Sequence, residues 1–234
     1  MDPKGELSTE VLPAERLYHF TPAKYAFDDL RNRRLKIAQF DDLNDPFELK
    51  SVNLCNPVHA QVFDGTDSSE GLKAEIARRF GVLCFSEDKF DLLQWAHYAD
   101  HHKGICLGLD VSGSGENFVR VKYVTDRPPF PETASLVEQF RNGNAAFTLG
   151  LLSRKSEAWK YEKEWRVLLL LRDGIWNQCA GRDLYFADFG SELTLREVIF
   201  GAENKDAACK VYDAIQDYPG PVRVARMRPS CSTL

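Results

Sequence analysis

The segment Trp159–Leu171, WKYEKEWRVLLLL, constrains the fold more than any other stretch. Its second half, Val167–Leu171, is an unbroken apolar run and reads as a strand entering a buried core. Its first half is charged. Read as part of the same strand, Tyr161, Lys163 and Trp165 face one side while Glu162, Glu164 and Arg166 face the other. Two carboxylates and an arginine are then expected at the mouth of a buried strand. As an exposed ladder, such ion pairs contribute only ~0–1 kcal/mol each. In a cleft, Arg166 would hold one carboxylate ionised, an arrangement typical of functional sites. The abrupt join of charged to apolar sequence favours the cleft.

A sheet needs partners for that strand, and the rest of the chain supplies them. Leu17–Phe20 and Leu35–Ala38 read as short strands around a helix begun by Thr21 and Pro22, with the helix running through Leu30. FDDLNDPFE follows as a loop, rich in the turn residues Asn, Asp and Pro. Leu72–Phe80 has helical spacing and Gly81 is placed to end it. Gly81–Ser86, Ile105–Val111 and Phe118–Val124 read as strands, and Asp91 as the cap of a helix reaching Gly104. DRPPFPE reads as a linker, Glu132–Lys155 as helical, and Asp206–Gln216 as the last helix before a closing strand at Val222–Met227. Asp183–Phe186 and Val198–Phe200 complete the strands. The interspersion predicts an α+β fold, a single domain over residues 16–234 with short strands in a split, mixed sheet flanked by helices. Residues 1–15 are expected to be a flexible leader, and 56–71 a mobile Gly/Ser/Asp-rich stretch.

Composition excludes some classes of function. The formal net charge of -5 argues against a protein whose main task is coating nucleic acid, without excluding a local basic cleft. Six scattered cysteines without a CxxC pair read as reduced thiols, which places the chain in the cytoplasm. The N-terminus carries no apolar signal region, and no apolar run is long enough to cross a bilayer, so no membrane partner is expected. Neither GxGxxG nor GxxxxGK occurs, which leaves no Rossmann or P-loop signature.

The stretch QWAHYADHHKG holds three of the five histidines. His97 and His101, four apart on a helix, would share a face as zinc ligands do. Against a metal site, no HExxH pattern is present, and cationic side chains before Gly104 suit a helix C-terminus. Trp95 and Tyr98, three apart, form either an aromatic wall or part of the core. His19 lies between Tyr18 and Phe20 on a strand, Ser86 ends an apolar strand, and Asn44 and Asp45 lie in a turn.

Taken in order, LYHF, NDPFE, CFS, WxHYAxxHxG, KSxxWxYExExR and VIFG resemble a large bacterial family known as domain of unknown function 2971, over roughly residues 17–201. A more distant resemblance is to mono-ADP-ribosyltransferases, which carry a His or Arg early, a Ser or Tyr midway and a catalytic Glu late, on successive core strands. His19, Ser86 and Glu164 fall in that order, and Glu162-Lys163-Glu164 is similar to the ExE turn of arginine-modifying members. The sequence departs from both groups, pairing His19 with Ser86, and no Ser-Thr-Ser run follows. The resemblance implies an ADP-ribosyltransferase-like fold and a toxin or defence enzyme that consumes NAD, by transfer or by hydrolysis. Glu164 would stabilise the ribosyl cation and Glu162 handle the acceptor, a protein or a nucleic acid, either glutamate being open to the catalytic role. His19 would bind a ribose, Ser86 the middle of the dinucleotide, and Trp95 or Tyr98 a ring. Phe20, Asn44, Asp45 and Arg166 would complete the cofactor pocket. The three motif side chains should then enter one cleft, from neighbouring strands and from one face of the sheet. Two rivals remain: a hydrolase or nuclease holding a divalent ion on Glu162, Glu164, His97 and His102, and a non-catalytic binding module.

Overall fold

The computed structural model describes residues 16–45, 76–111, 118–126, 150, 152–171, 175–179, 182–206 and 208–228. The expected leader 1–15, the 56–71 stretch and residues 127–149 of the expected linker and helical region lie outside the described residues. Among the described residues the architecture is α+β, built on one mixed ten-stranded sheet with a separate two-stranded piece. Its strands are β1 (Leu17–Thr21), β2 (Arg34–Gln39), β3 (Phe80–Ser86), β4 (Ile105–Val111), β5 (Phe118–Arg120), β8 (Glu164–Leu170), β9 (Ile175–Cys179), β10 (Arg182–Asp188), β11 (Leu193–Phe200) and β12 (Arg223–Arg226). The small parallel pair is β6 (Lys122–Val124) and β7 (Arg154–Ser156). Helices α1 (Ala23–Asn32), α2 (Leu92–Tyr98) and α3 (Cys209–Ile215) flank the sheet. No described helix is long and apolar enough to cross a membrane.

The sheet forks at β3. On one edge β8 pairs with β3 along its whole length, from Phe80 opposite Leu170 to Ser86 opposite Glu164. The other edge is shared. β1 meets it only at Tyr18 opposite Ser86, and β2 only at Ala38 and Gln39 opposite Val82 and Gly81. Both are antiparallel to β3, hence parallel to each other, with α1 as the crossover between them. Leu83, Cys84 and Phe85 have no strand partner on this edge, and the split in the sheet opens there. A backbone carbonyl in such a gap needs another donor. His19 supplies it, with Nδ1 at 3.0 Å from the Cys84 oxygen.

Alternation along the strands sorts the cores. Leu83, Phe85 and Trp165 join Ala26 and Leu30 of α1 and Val211 and Ile215 of α3 on one face. Val82 and Leu168 pack with Phe40, Ile76 and Leu152 on the other. Trp95 and Ala99 pack with Phe20, Cys106 and Ile199 in a third cluster, so α2 is pinned to the sheet by its tryptophan.

Several local expectations are corrected. The Trp159–Leu171 segment is not one strand: Glu157–Glu162 is a 3₁₀ turn, Lys163 takes a left-handed conformation at φ 45°, and β8 begins at Glu164. The helix of QWAHYADHHKG ends at Tyr98, because Asp100, His101 and His102 all have positive φ, so His97 and His101 do not share a helical face. That loop leans on the VIFG glycine, where a Cβ at Gly201 would collide with the His102 carbonyl. Gly81 lies inside β3 instead of ending a helix, since a side chain there would strike Ile37 and Leu171. Residues 76–79 are helical as expected, but Phe80 already belongs to the strand. Lys155 sits on β7, not at a helix end, and Val121 breaks Phe118–Val124 into strands of two different sheets. Pro22 is the N-cap residue of α1, with Thr21 still in β1. The last helix is shorter than its periodicity, Cys209–Ile215, and β9 had no clear signal. Cys84, Cys106 and Cys209 are free thiols.

Asp29 on α1 is buried, and its carboxyl is pushed up to about 7 by burial and by Asp28, against the pull of Arg34 and Lys36. It accepts a hydrogen bond from the Lys36 backbone N–H, which ties α1 to β2. Its folded value lies above the ordinary 3.8, so the folded chain keeps a proton that the unfolded chain has lost. Stability therefore falls as pH rises between those values. Asp29→Asn keeps an acceptor and removes the titration, so it should gain about 4 kcal/mol over the native chain at pH 8 and almost nothing at pH 4. Thermal melts at the two pH values check this. An equal offset at both would refute it.

Candidate functional site

The fork and the 3₁₀ turn meet at one cleft. Ser156 caps the turn by accepting from the Ala158 N–H, and the left-handed Lys163 reverses the chain into β8. The Glu162 carbonyl at the bend accepts from Ser86 Oγ at 2.7 Å and from Gln94 Nε2 at 3.0 Å. The Asp88 N–H in turn donates to Ser86 Oγ at 3.1 Å. On the other side the Glu164 N–H donates to the Tyr123 hydroxyl at 2.8 Å, and the Glu164 carbonyl accepts from the Val121 N–H at 2.9 Å. β3, α2, β6 and the segment before β6 therefore hold the Glu162-Lys163-Glu164 backbone in place. Pre-organisation of this kind is what a charged site requires.

The side chains form a buried ionic centre. Arg166 Nε and Nη2 reach the two Glu164 oxygens at 2.8 and 3.1 Å, while its Nη1 donates to the Leu152 carbonyl at 2.8 Å. Lys155 Nζ stands between the glutamates, 2.5 Å from Glu162 Oε2 and 3.2 Å from Glu164 Oε2. Tyr98 donates its hydroxyl to Glu162 Oε1 at 2.6 Å. Glu162, Glu164, Lys155 and Arg166 are each less than a tenth exposed. The environments drive the two carboxyls apart. Burial alone would raise Glu164, but Arg166 and then Lys155 outweigh it and hold the group at about 2. Burial raises Glu162 to about 7, reinforced by the Glu164 charge and opposed by Lys155 and Tyr98. Glu164 is thus the fixed anion and Glu162 the group that takes a proton first. Burial would neutralise Lys155, yet Glu164 and Glu162 keep it charged and raise it. Burial and the nearby Glu162 push Tyr98 up, so it remains a donor.

The cleft has a volume of about 200 Å³. His19, Phe20, Asn44, Asp45, Ser86, Tyr98, Glu162, Glu164 and Arg166 all line it. Trp95 does not: it is fully buried behind the cleft, edge-on to Phe20 at 5.2 Å, with its indole N–H on the Lys89 carbonyl. Tyr98 presents its hydroxyl to Glu162, where a stacking ring was expected, and the Ser86 hydroxyl serves the Glu162 main chain. The strands of His19, Ser86 and Glu164 are neighbours, as expected. Their faces differ. Tyr18 is the residue opposite Ser86, so His19 issues on the other face, beside the Phe85 ring at 5.9 Å. It reaches the cleft only through the fork. A carbonyl can only accept, so His19 Nδ1 carries the proton and Nε2 keeps a lone pair; burial lowers the ring's pKa, which favours this neutral form.

Sequence reasoning missed Lys155, Gln94, Tyr123 and Cys84. Lys155 opens the KSxxWxYExExR motif, a signal overridden by the helical spacing before it. The two glutamates converge although the strand alternation that paired them does not exist at Glu162; the left-handed Lys163 returns the chain to the same side. Metal binding at this pair would meet Lys155, whose ammonium holds the bridging position. Among the described residues, no three His, Cys, Asp or Glu side chains are grouped to hold a metal ion.

Residues 94–167 match the model of a family described as a protein of unknown function, DUF2971. The matched segment opens at Gln94 and closes one residue beyond Arg166, so it carries Tyr98, Tyr123, Lys155, Glu162, Glu164 and Arg166, while His19 and Ser86 lie before it. No curated protein and no solved structure matches the chain.

Proposed function

We propose that the chain cleaves the nicotinamide–ribose bond of NAD and passes the ADP-ribosyl group to a macromolecular acceptor or to water. The observation that carries this is the glutamate pair in one cleft, one carboxylate held ionised and the other able to exchange a proton near neutral pH. Pairs of carboxyls driven apart in this way are how glycosidic chemistry divides its labour. As the C1′–N bond breaks, its electrons leave with nicotinamide and a ribosyl cation develops. Glu164 supplies the fixed negative charge. Glu162 accepts the proton of the incoming nucleophile, and Tyr98 and Lys155 steady its carboxylate. His19 Nε2 accepts from a ribose hydroxyl at the fork. The cleft is smaller than the ~300–1,000 Å³ of a typical ligand site. It therefore encloses the reacting end of the dinucleotide and leaves the other end open.

Radiolabelled NAD incubated with the purified chain, with and without cell lysate, tests this reading. Released nicotinamide, together with label on a macromolecule or as free ADP-ribose, is the expected result, and it should be lost in His19→Ala. No release by the native chain between pH 6 and 8, lysate included, would overturn the proposal.

A further inference from the structure

A row of paired residues crosses six strands of the sheet. Glu164 lies opposite Ser86, Ser86 opposite Tyr18, Tyr18 opposite Gly108, Gly108 opposite Glu197, and Glu197 opposite Arg223. Laterally paired residues project from one face, so Glu197 and Arg223 share a face with the cleft's Glu164. Four cations gather there on two carboxylates. Lys89 Nζ lies 3.0 Å from Glu197 Oε2, Arg223 Nη1 3.6 Å from Oε1 and Arg16 Nη1 3.8 Å from Oε2. Arg16 and Arg196 both use Nε on Asp110, at 2.9 and 3.0 Å. Glu197 is buried beneath this group, and Lys89 Nζ hydrogen-bonds both of its oxygens. The Arg16 and Arg223 guanidiniums stand beyond hydrogen-bond distance of Glu197, and Arg223 is 71% exposed. The acids beside Lys89 in the chain are engaged elsewhere, Glu87 by Arg120 and Asp88 by Lys163.

We infer that this face binds the phosphodiester backbone of a single-stranded nucleic acid and leads it towards the cleft. Planar guanidinium forks suit phosphate oxygens. The cations spread over strands spaced ~4.8 Å apart, a line longer than one phosphate group. At its inner end Lys89 lies over the Tyr18 ring, 5.2 Å from its centre, and Tyr18 lines the cleft. An aromatic ring beside a cationic track is the pattern of single-strand binding. The inference stands on these charges and not on NAD chemistry.

Fluorescence anisotropy with labelled 20-nucleotide RNA and DNA strands tests it, comparing the native chain with the double variant Arg16→Ala/Arg223→Ala. Binding should weaken with salt. Loss of two phosphate contacts should weaken it at least roughly ten-fold at 0.1 M salt and reduce the log–log salt slope by about 1.4. Nicotinamide release from NAD without lysate should be the same in both proteins, which separates this outcome from failure of the NAD reading. Absence of strand binding, unchanged binding in the double variant, or equal binding of a polyglutamate of matched charge would each overturn the inference.

Discussion

Arg166→Met is expected to lower the free energy of unfolding by about 3–5 kcal/mol, the cost of breaking a buried ion pair by removing one partner. Arg166 is 1% exposed, clamps both oxygens of Glu164 and satisfies the Leu152 carbonyl. Methionine fills much of the volume and replaces none of these bonds. Glu164 would be left with Lys155 as its cation, and Lys155 is already shared with Glu162. The pH dependence has a definite sign. Glu164 is depressed from 4.5 to about 2 in the folded chain, so its stabilisation is present above 4.5 and lost as pH falls through about 2. The gap between the native chain and Arg166→Met should therefore be large at pH 7 and narrow near pH 2. Lys160→Met, which removes an ion pair on a side chain 69% exposed, should change stability by less than about 0.5 kcal/mol. Urea titrations at both pH values measure all three proteins. Equal stability of Arg166→Met and the native chain at pH 7 would show that the pair is dispensable.

Glu164→Gln should slow nicotinamide release from NAD by about 100- to 1,000-fold, the usual cost of losing a pre-organised charge facing the transition state. It should also melt at a lower temperature, because Arg166 and Lys155 would then face an uncharged partner. Glu162→Gln should behave otherwise. Release of nicotinamide should stay within about ten-fold of native, since bond cleavage needs no proton from the acceptor. Transfer to a macromolecule should fall by at least 100-fold, because the base that takes the nucleophile's proton is gone. In the native chain, transfer should rise with pH as Glu162 ionises near its raised value of about 7, and Glu162→Gln should remove that limb. Rates and melts taken together separate chemistry from folding. Small, equal effects of both substitutions on release and transfer would sink the assignment.

Some of this site was legible because it depends on short-range geometry. Glu164 and Arg166 lie two apart on one strand, and strand periodicity alone predicts that they share a face. The motif order brought His19, Ser86 and Glu164 onto β1, β3 and β8, which are in fact neighbours. Other features escaped for equally physical reasons. A 3₁₀ turn followed by one left-handed residue resembles strand alternation when only side-chain polarity is read, so Trp159–Lys163 reads as part of the strand after it. Trp95 and Tyr98, three apart, look alike as aromatics, yet one anchors the core and the other spends its hydroxyl on Glu162.

The sequence by itself determined the α+β character, the apolar strand at Val167–Leu170 and the glutamate–arginine pair at its start, because each follows from polarity at fixed local spacing. The tertiary structure alone decided where the cations come from and which way the proton leans. Lys155 reaches the glutamates from a different strand, and burial depends on what covers a residue, not on its neighbours in the chain. The fork at β3 belongs to the same class. Where β1 and β2 part company is set by which residues of three distant segments pair, and only that gap turns a histidine on the wrong face of the sheet into a wall of the cleft.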